Sequence, residues 1–108
     1  MDSSRSFRFS EIAEYELDEV MSYISNQLFN PKAAAALYYK ILSAIETLCE
    51  YPESCPVVDA SPKGRQPTRK LLIDNFVAYY YYNKTTSTIE IIRIVYSRRD
   101  LDKIKVSA

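Results

Sequence analysis

The side chains able to do chemistry in this 108-residue chain are mostly cations and phenols, and they concentrate in its second half. Lys63, Arg65, Arg69, Lys70, Arg93, Arg98 and Arg99 span a loop, two apolar runs and the segment after the last run. Brought together at one end of a domain, they would hold phosphates or acidic groups through charge-assisted hydrogen bonds; kept apart, each is a solvated side chain. Among them lies Tyr79-Tyr80-Tyr81-Tyr82. On a strand these rings alternate, so Tyr79 and Tyr81 share one face and Tyr80 and Tyr82 the other. One pair is expected in the core, and stacking on a nucleic-acid base is the alternative use of the exposed pair.

What is missing excludes other chemistries. The chain has no His and no Trp, one Gly and two Cys. Without an imidazole base, Ser-His-Asp and Cys-His catalysis are excluded, and a His-containing or four-Cys zinc site lacks its ligands. Gly64 alone cannot build a phosphate-cradling loop, so no nucleotide cofactor, and no cofactor of any kind, is expected. Cys49 and Cys55 flank Tyr51 and Pro52 and read as reduced thiols in or near the core.

The elements that must position these groups follow from periodicity. Phe7-Arg8-Phe9 alternates as a short first strand, and Ser10 is placed to cap a helix. Its apolar stripe runs through Ala13, Leu17, Val20, Met21, Ile24 and Leu28, with Glu11, Glu14, Glu16, Asp18 and Glu19 over the early turns, where acids suit the helix dipole. Asn30-Pro31 signals a second helix, with Ala34, Leu37, Tyr38, Ile41, Ala44, Ile45 and Leu48 on its apolar face and Pro52 at its end. Four prolines between Pro52 and Pro67, with the only Gly, make the stretch from Glu53 a loop whose exposed, mobile tip is Lys63-Gly64-Arg65-Gln66. The period then changes to two. Lys70 to Asp74, Phe76 to Tyr82 and Ile89 to Tyr96 read as three sequential antiparallel strands, with Asn75 suited to the left-handed backbone of the first turn. The tail from Arg98 to Val106 adds one helical turn or frays.

These elements specify one α+β domain over residues 1–108, in the order β-α-α-β-β-β, with a helical hairpin on one face of a small, mainly antiparallel sheet. The formal net charge is zero but divides sharply: residues 1–60 carry four bases against ten acids and residues 61–108 ten bases against four acids. The basic half could face an anion such as nucleic acid or an acidic protein. No apolar run approaches the ~18 residues of a membrane span, and MDSSRSFRFS contains no apolar signal core, so a cytoplasmic protein with no membrane partner is expected.

The strings TRKLLIDNFVAYYYY and IEIIRIVYSRRDL, together with the Ser10, Ala13, Leu17, Val20 pattern, Pro31-x-Ala-Ala, and Leu48 with Pro52, resemble the RelE/ParE toxins of bacterial toxin–antitoxin modules over nearly the whole chain. The resemblance implies an α+β toxin neutralised by a cognate antitoxin, in a homodimer or a toxin–antitoxin hetero-oligomer. It also implies one of two targets, ribosome-bound mRNA cut by RelE-like members or DNA gyrase inhibited by ParE-like ones.

The residues bear unevenly on that choice. Metal-independent cleavage of RNA needs a base for the 2′-OH, an acid for the leaving 5′ oxygen and cations about the phosphate. RNA-cleaving members carry an Arg after the aromatic residue that opens the middle strand, where this chain has Val77 after Phe76. Many place a His at Tyr96, and a phenol with an ordinary pKa of about 10 is a poor base near neutrality unless Arg side chains lower it. The resemblance makes Lys70, Tyr96 and Arg98 the catalytic candidates of a metal-independent endoribonuclease. Arg65, Arg69, Arg93 and Arg99 complete a binding surface, and Arg69-Lys70, Arg93 and Arg98-Arg99-Asp100 look like ParE-branch residues. ParE-like inhibition of gyrase is slightly favoured, with an RNA-cleaving toxin or a degenerate, non-toxic binding module as alternatives.

Overall fold

The computed structural model describes residues 6–60, 64 and 66–96. Strand β1 (Ser6–Phe9) passes at Ser10 into helix α1 (Glu11–Ser22). Ser10 is fitted to that corner by three bonds. Its Oγ accepts from the Ala13 N–H at 3.0 Å, a helix cap, and donates to the Ile92 carbonyl at 3.0 Å, while its N–H donates to the Ile91 carbonyl at 2.8 Å. The chain then widens into a π-helical segment, Tyr23–Gln27, and turns at Leu28 and Phe29. Helix α2 (Pro31–Glu50) starts as its sequence requires: the Asn30 side chain accepts from the Ala33 N–H, and Pro31 occupies a first-turn position that has no intrahelical N–H bond to lose.

Five strands form one sheet in the order β1-β5-β4-β3-β2, with β2 Val57–Asp59, β3 Thr68–Ile73, β4 Phe76–Asn83 and β5 Thr88–Tyr96. The β3, β4 and β5 meander is antiparallel, and β1 joins its far edge in parallel with β5. Ala13, Leu17, Ile41, Ile45 and Leu48 of the hairpin close over Ile73, Ala78, Tyr80, Ile89, Ile91 and Ile94. The sheet therefore has one face against the helices and one facing away. Alternation assigns Phe7, Phe9, Leu71 and Tyr82 to the helix side and Arg8, Lys70, Tyr79, Tyr81 and Glu90 to the other.

Four expectations need correction. The proline-rich stretch read as a loop contains β2, which pairs with β3 through Val57 opposite Arg69 and Asp59 opposite Thr68. The left-handed residue of the β3–β4 turn is Asp74 (φ 54°), not Asn75, so the carboxylate side chain takes the position that Asn was expected to fill. Leu28 is exposed, because the wider π-helical turn rotates it off the stripe that a regular helix would have kept facing inward. Tyr38, placed on the apolar face of α2, is also exposed. The tip residues Lys63 and Arg65 and the tail from Ser97 lie outside the described residues.

Candidate functional site

The meander sets the geometry of the candidate site. Opposite pairs Lys70–Tyr79 and Tyr79–Arg93 put three candidate groups in one row across β3, β4 and β5. A β-bulge follows immediately: Tyr79 faces Arg93 but Tyr80 faces Ile91, leaving Ile92 as the extra residue of β5. From this position Arg93 reaches Glu16 of α1. Its Nη2 lies 2.6 Å and its Nε 2.9 Å from Glu16 Oε2, while Glu16 Oε1 accepts from the Ile94 N–H at 2.8 Å. One carboxylate thus holds the guanidinium and satisfies a strand N–H beyond the point where β1 stops pairing with β5.

Arg69 and Lys70 are neighbours in sequence but point to opposite faces. Arg69 lies on the helix side opposite Tyr80, where its Nη1 donates to the carbonyls of Glu53 at 3.0 Å and Cys55 at 2.7 Å. It ties the loop after α2 to the sheet. Tyr80 completes that anchor: the ring is fully buried and its hydroxyl donates to the Pro52 carbonyl at 2.9 Å. Burial, with hydrogen bonding to Cys55, raises the hydroxyl's pKa well above the ordinary tyrosine value, against a smaller lowering by Arg69. Cys49 and Cys55 form no disulfide and are half-buried beside the core.

Tyr96 closes β5 opposite Phe76, with ring centroids 5.4 Å apart and planes tilted by 57°. It sits three residues along β4 from Tyr79 and, by alternation, on the other face from Lys70. Val77, at the position where an RNA-cleaving relative has Arg, is only 4% exposed and stands between Leu72 and Val95 in register. Of the sequence candidates, then, Lys70 and Arg93 share a row, Arg69 and Tyr96 lie on the helix side, and Arg65, Arg98 and Arg99 fall outside the described residues.

Sequence reasoning passed over two groups that shape this region. Arg8 on β1 lies 2.7 Å from Glu90 on β5, and the hydrogen bond and charge of Glu90 raise the guanidinium pKa further. Arg8 sits between two core phenylalanines and so had to face away from the helices, but only the parallel pairing of Arg8 with Glu90 reveals its partner. Glu16 is the other; its place among the helix-dipole acids concealed a contact 77 positions away. Among the described residues no group of three or more Cys, Asp or Glu side chains could hold a metal ion, and no helix is long and apolar enough to cross a membrane.

A helical hairpin over a five-stranded sheet, with cations and tyrosines on the meander, is the build of a small toxin of the type the sequence resembles. The chain belongs to the ParE toxin family: the family described as the ParE toxin of the type II toxin–antitoxin system parDE matches residues 7–101. It is a ParE-like toxin of a type II toxin–antitoxin module. Among solved structures, the chromosomal ParDE toxin–antitoxin system from P. aeruginosa has the same fold, with a TM-score of 0.63, 19% identity, and coverage of 84% of this chain and 94% of that one. No curated protein matches the sequence.

Proposed function

We propose that this toxin arrests growth in the cytoplasm by binding a protein, DNA gyrase, and that a cognate antitoxin neutralises it. The observation carrying the choice of a protein over RNA is the engagement of the described candidate guanidinium groups by the fold itself. Arg93 is held by Glu16, and Arg69 by the Glu53 and Cys55 carbonyls. Cations committed to their own chain are poorly placed to surround a cleaving phosphate. The buried Val77 and Tyr96, whose ring packs against Phe76, support the same reading, since Val77 supplies no cation and a phenol is a poor base near neutrality. Inhibiting a protein requires a complementary surface and no acid–base pair, so the same features leave that activity unimpaired. The antitoxin follows from membership of a two-component family.

Plasmid topology in cells expressing the toxin tests the proposal. Induction should relax a negatively supercoiled reporter plasmid before bulk mRNA declines. Cleavage of mRNA at discrete sites while the plasmid keeps its supercoiling would reject it.

A further inference from the structure

The turn joining the helices carries features that the fold does not explain. Phe29 has φ 52°, a left-handed conformation that β-carbon sterics disfavour and that a helix end normally assigns to Gly or Asn. The ring gains nothing by burial in return, being 86% exposed. The backbone around it is well bonded: the Leu28 N–H donates to the Tyr23 carbonyl at 3.1 Å and the Asn30 N–H to the Ile24 carbonyl at 3.0 Å. A Gly would satisfy this geometry at less cost. Tyr23 and Leu28, 56% and 55% exposed, add a second ring and an aliphatic side chain at the same end of the hairpin. From Val20 to Pro31 no residue is charged, the longest such run in the chain.

Strained backbone, exposed aromatic bulk and charge depletion are the marks of an interface centre rather than of a solvated turn. We infer that Phe29, with Tyr23 and Leu28, forms a knob that inserts into an apolar pocket on the folded protein the toxin inhibits. This rests on the protein-target reading above. One exposed cation, Lys32 in the first turn of α2, lies near the knob, too few to follow a phosphate backbone, which argues against nucleic acid as its partner. Asp18 and Glu19, the exposed acids of α1 nearest the turn, outnumber Lys32 there, so they would repel the same surface of a second copy and favour a neutral or basic pocket rim. A convex knob of three side chains also calls for a preformed concavity, which a folded target provides; a segment that folds as it binds instead needs a long groove to lie in.

The test compares the full-length chain with Phe29→Gly and Phe29→Tyr. Phe29→Gly should keep or raise Tm, because Gly relieves the left-handed backbone. It should require at least tenfold more protein than wild type to inhibit supercoiling by purified DNA gyrase, and Phe29→Tyr should stay close to wild type. Equal potency of Phe29→Gly and wild type overturns the inference, as does a fall in Tm, which would make the ring structural. Sedimentation that shows a wild-type dimer broken by Phe29→Gly also overturns it, since the knob would then serve a second copy. A wild-type protein that leaves gyrase untouched removes the gyrase reading alone. Growth arrest on graded induction then decides the knob separately: weaker arrest by Phe29→Gly upholds it and equal arrest overturns it.

Discussion

At the scale of single residues, Glu16 and Tyr80 show how the fold takes up groups that the sequence presents as free chemistry. Glu16 divides its two oxygens between Arg93 and the Ile94 N–H. Glu16→Ala should destabilise the protein by about 1–3 kcal/mol, chiefly through the strand N–H left without an acceptor, because the half-exposed ion pair itself contributes little. Glu16→Gln keeps one carbonyl oxygen and should cost less; equal losses in urea unfolding would show that the N–H bond is not the main term. Tyr80 makes a pH prediction. Its folded pKa lies above that of the unfolded chain, so its contribution is complete below about pH 10 and falls above it by about 1.4 kcal/mol per pH unit, until the folded hydroxyl also ionises. Tyr80→Phe should therefore be about 1 kcal/mol less stable than wild type near neutrality, with the gap narrowing in unfolding curves at about pH 11. A gap that is constant with pH would contradict the raised pKa. Alternation alone separated Tyr79 and Tyr81 from Tyr80 and Tyr82, but nothing local could say that Arg69 and Arg93 were already held.

At the scale of elements, the caps were legible because they are local. Ser10 and Asn30-Pro31 start their helices where the residue types require. Ser10 does more than cap, since its bonds to β5 fix the corner between β1 and α1 against the sheet. Ser10→Ala should cost about 1–2 kcal/mol, measured by chemical denaturation, and Ser10→Thr should recover much of it. A loss of only a few tenths would mean that water replaces both bonds. Strand β2 escaped notice for a physical reason: it is three residues long, wholly exposed and flanked by prolines, and it exists because β3 offers it an edge. The π-helical segment was equally hidden, since an apolar stripe at three- and four-residue steps cannot register one widened turn.

At the scale of the whole molecule, the acidic and basic halves of the sequence meet in ion pairs: Glu16 holds Arg93, Lys40 holds Asp74, Glu53 holds Lys84 and Arg8 holds Glu90. The hairpin ends in an uncharged aromatic tip, while the described cations of the meander are largely matched by carboxylates and carbonyls of the same chain. Such a molecule is built to present a shaped protein surface, and the knob at Phe29 is the part of that surface with least reason to exist in isolation. The most direct measurement is supercoiling of relaxed plasmid by purified gyrase, set beside ribosome-dependent cleavage of mRNA with the same toxin preparation. A gyrase-directed toxin inhibits supercoiling and leaves the message intact. Discrete ribosome-dependent cuts with undiminished supercoiling would contradict gyrase as the target.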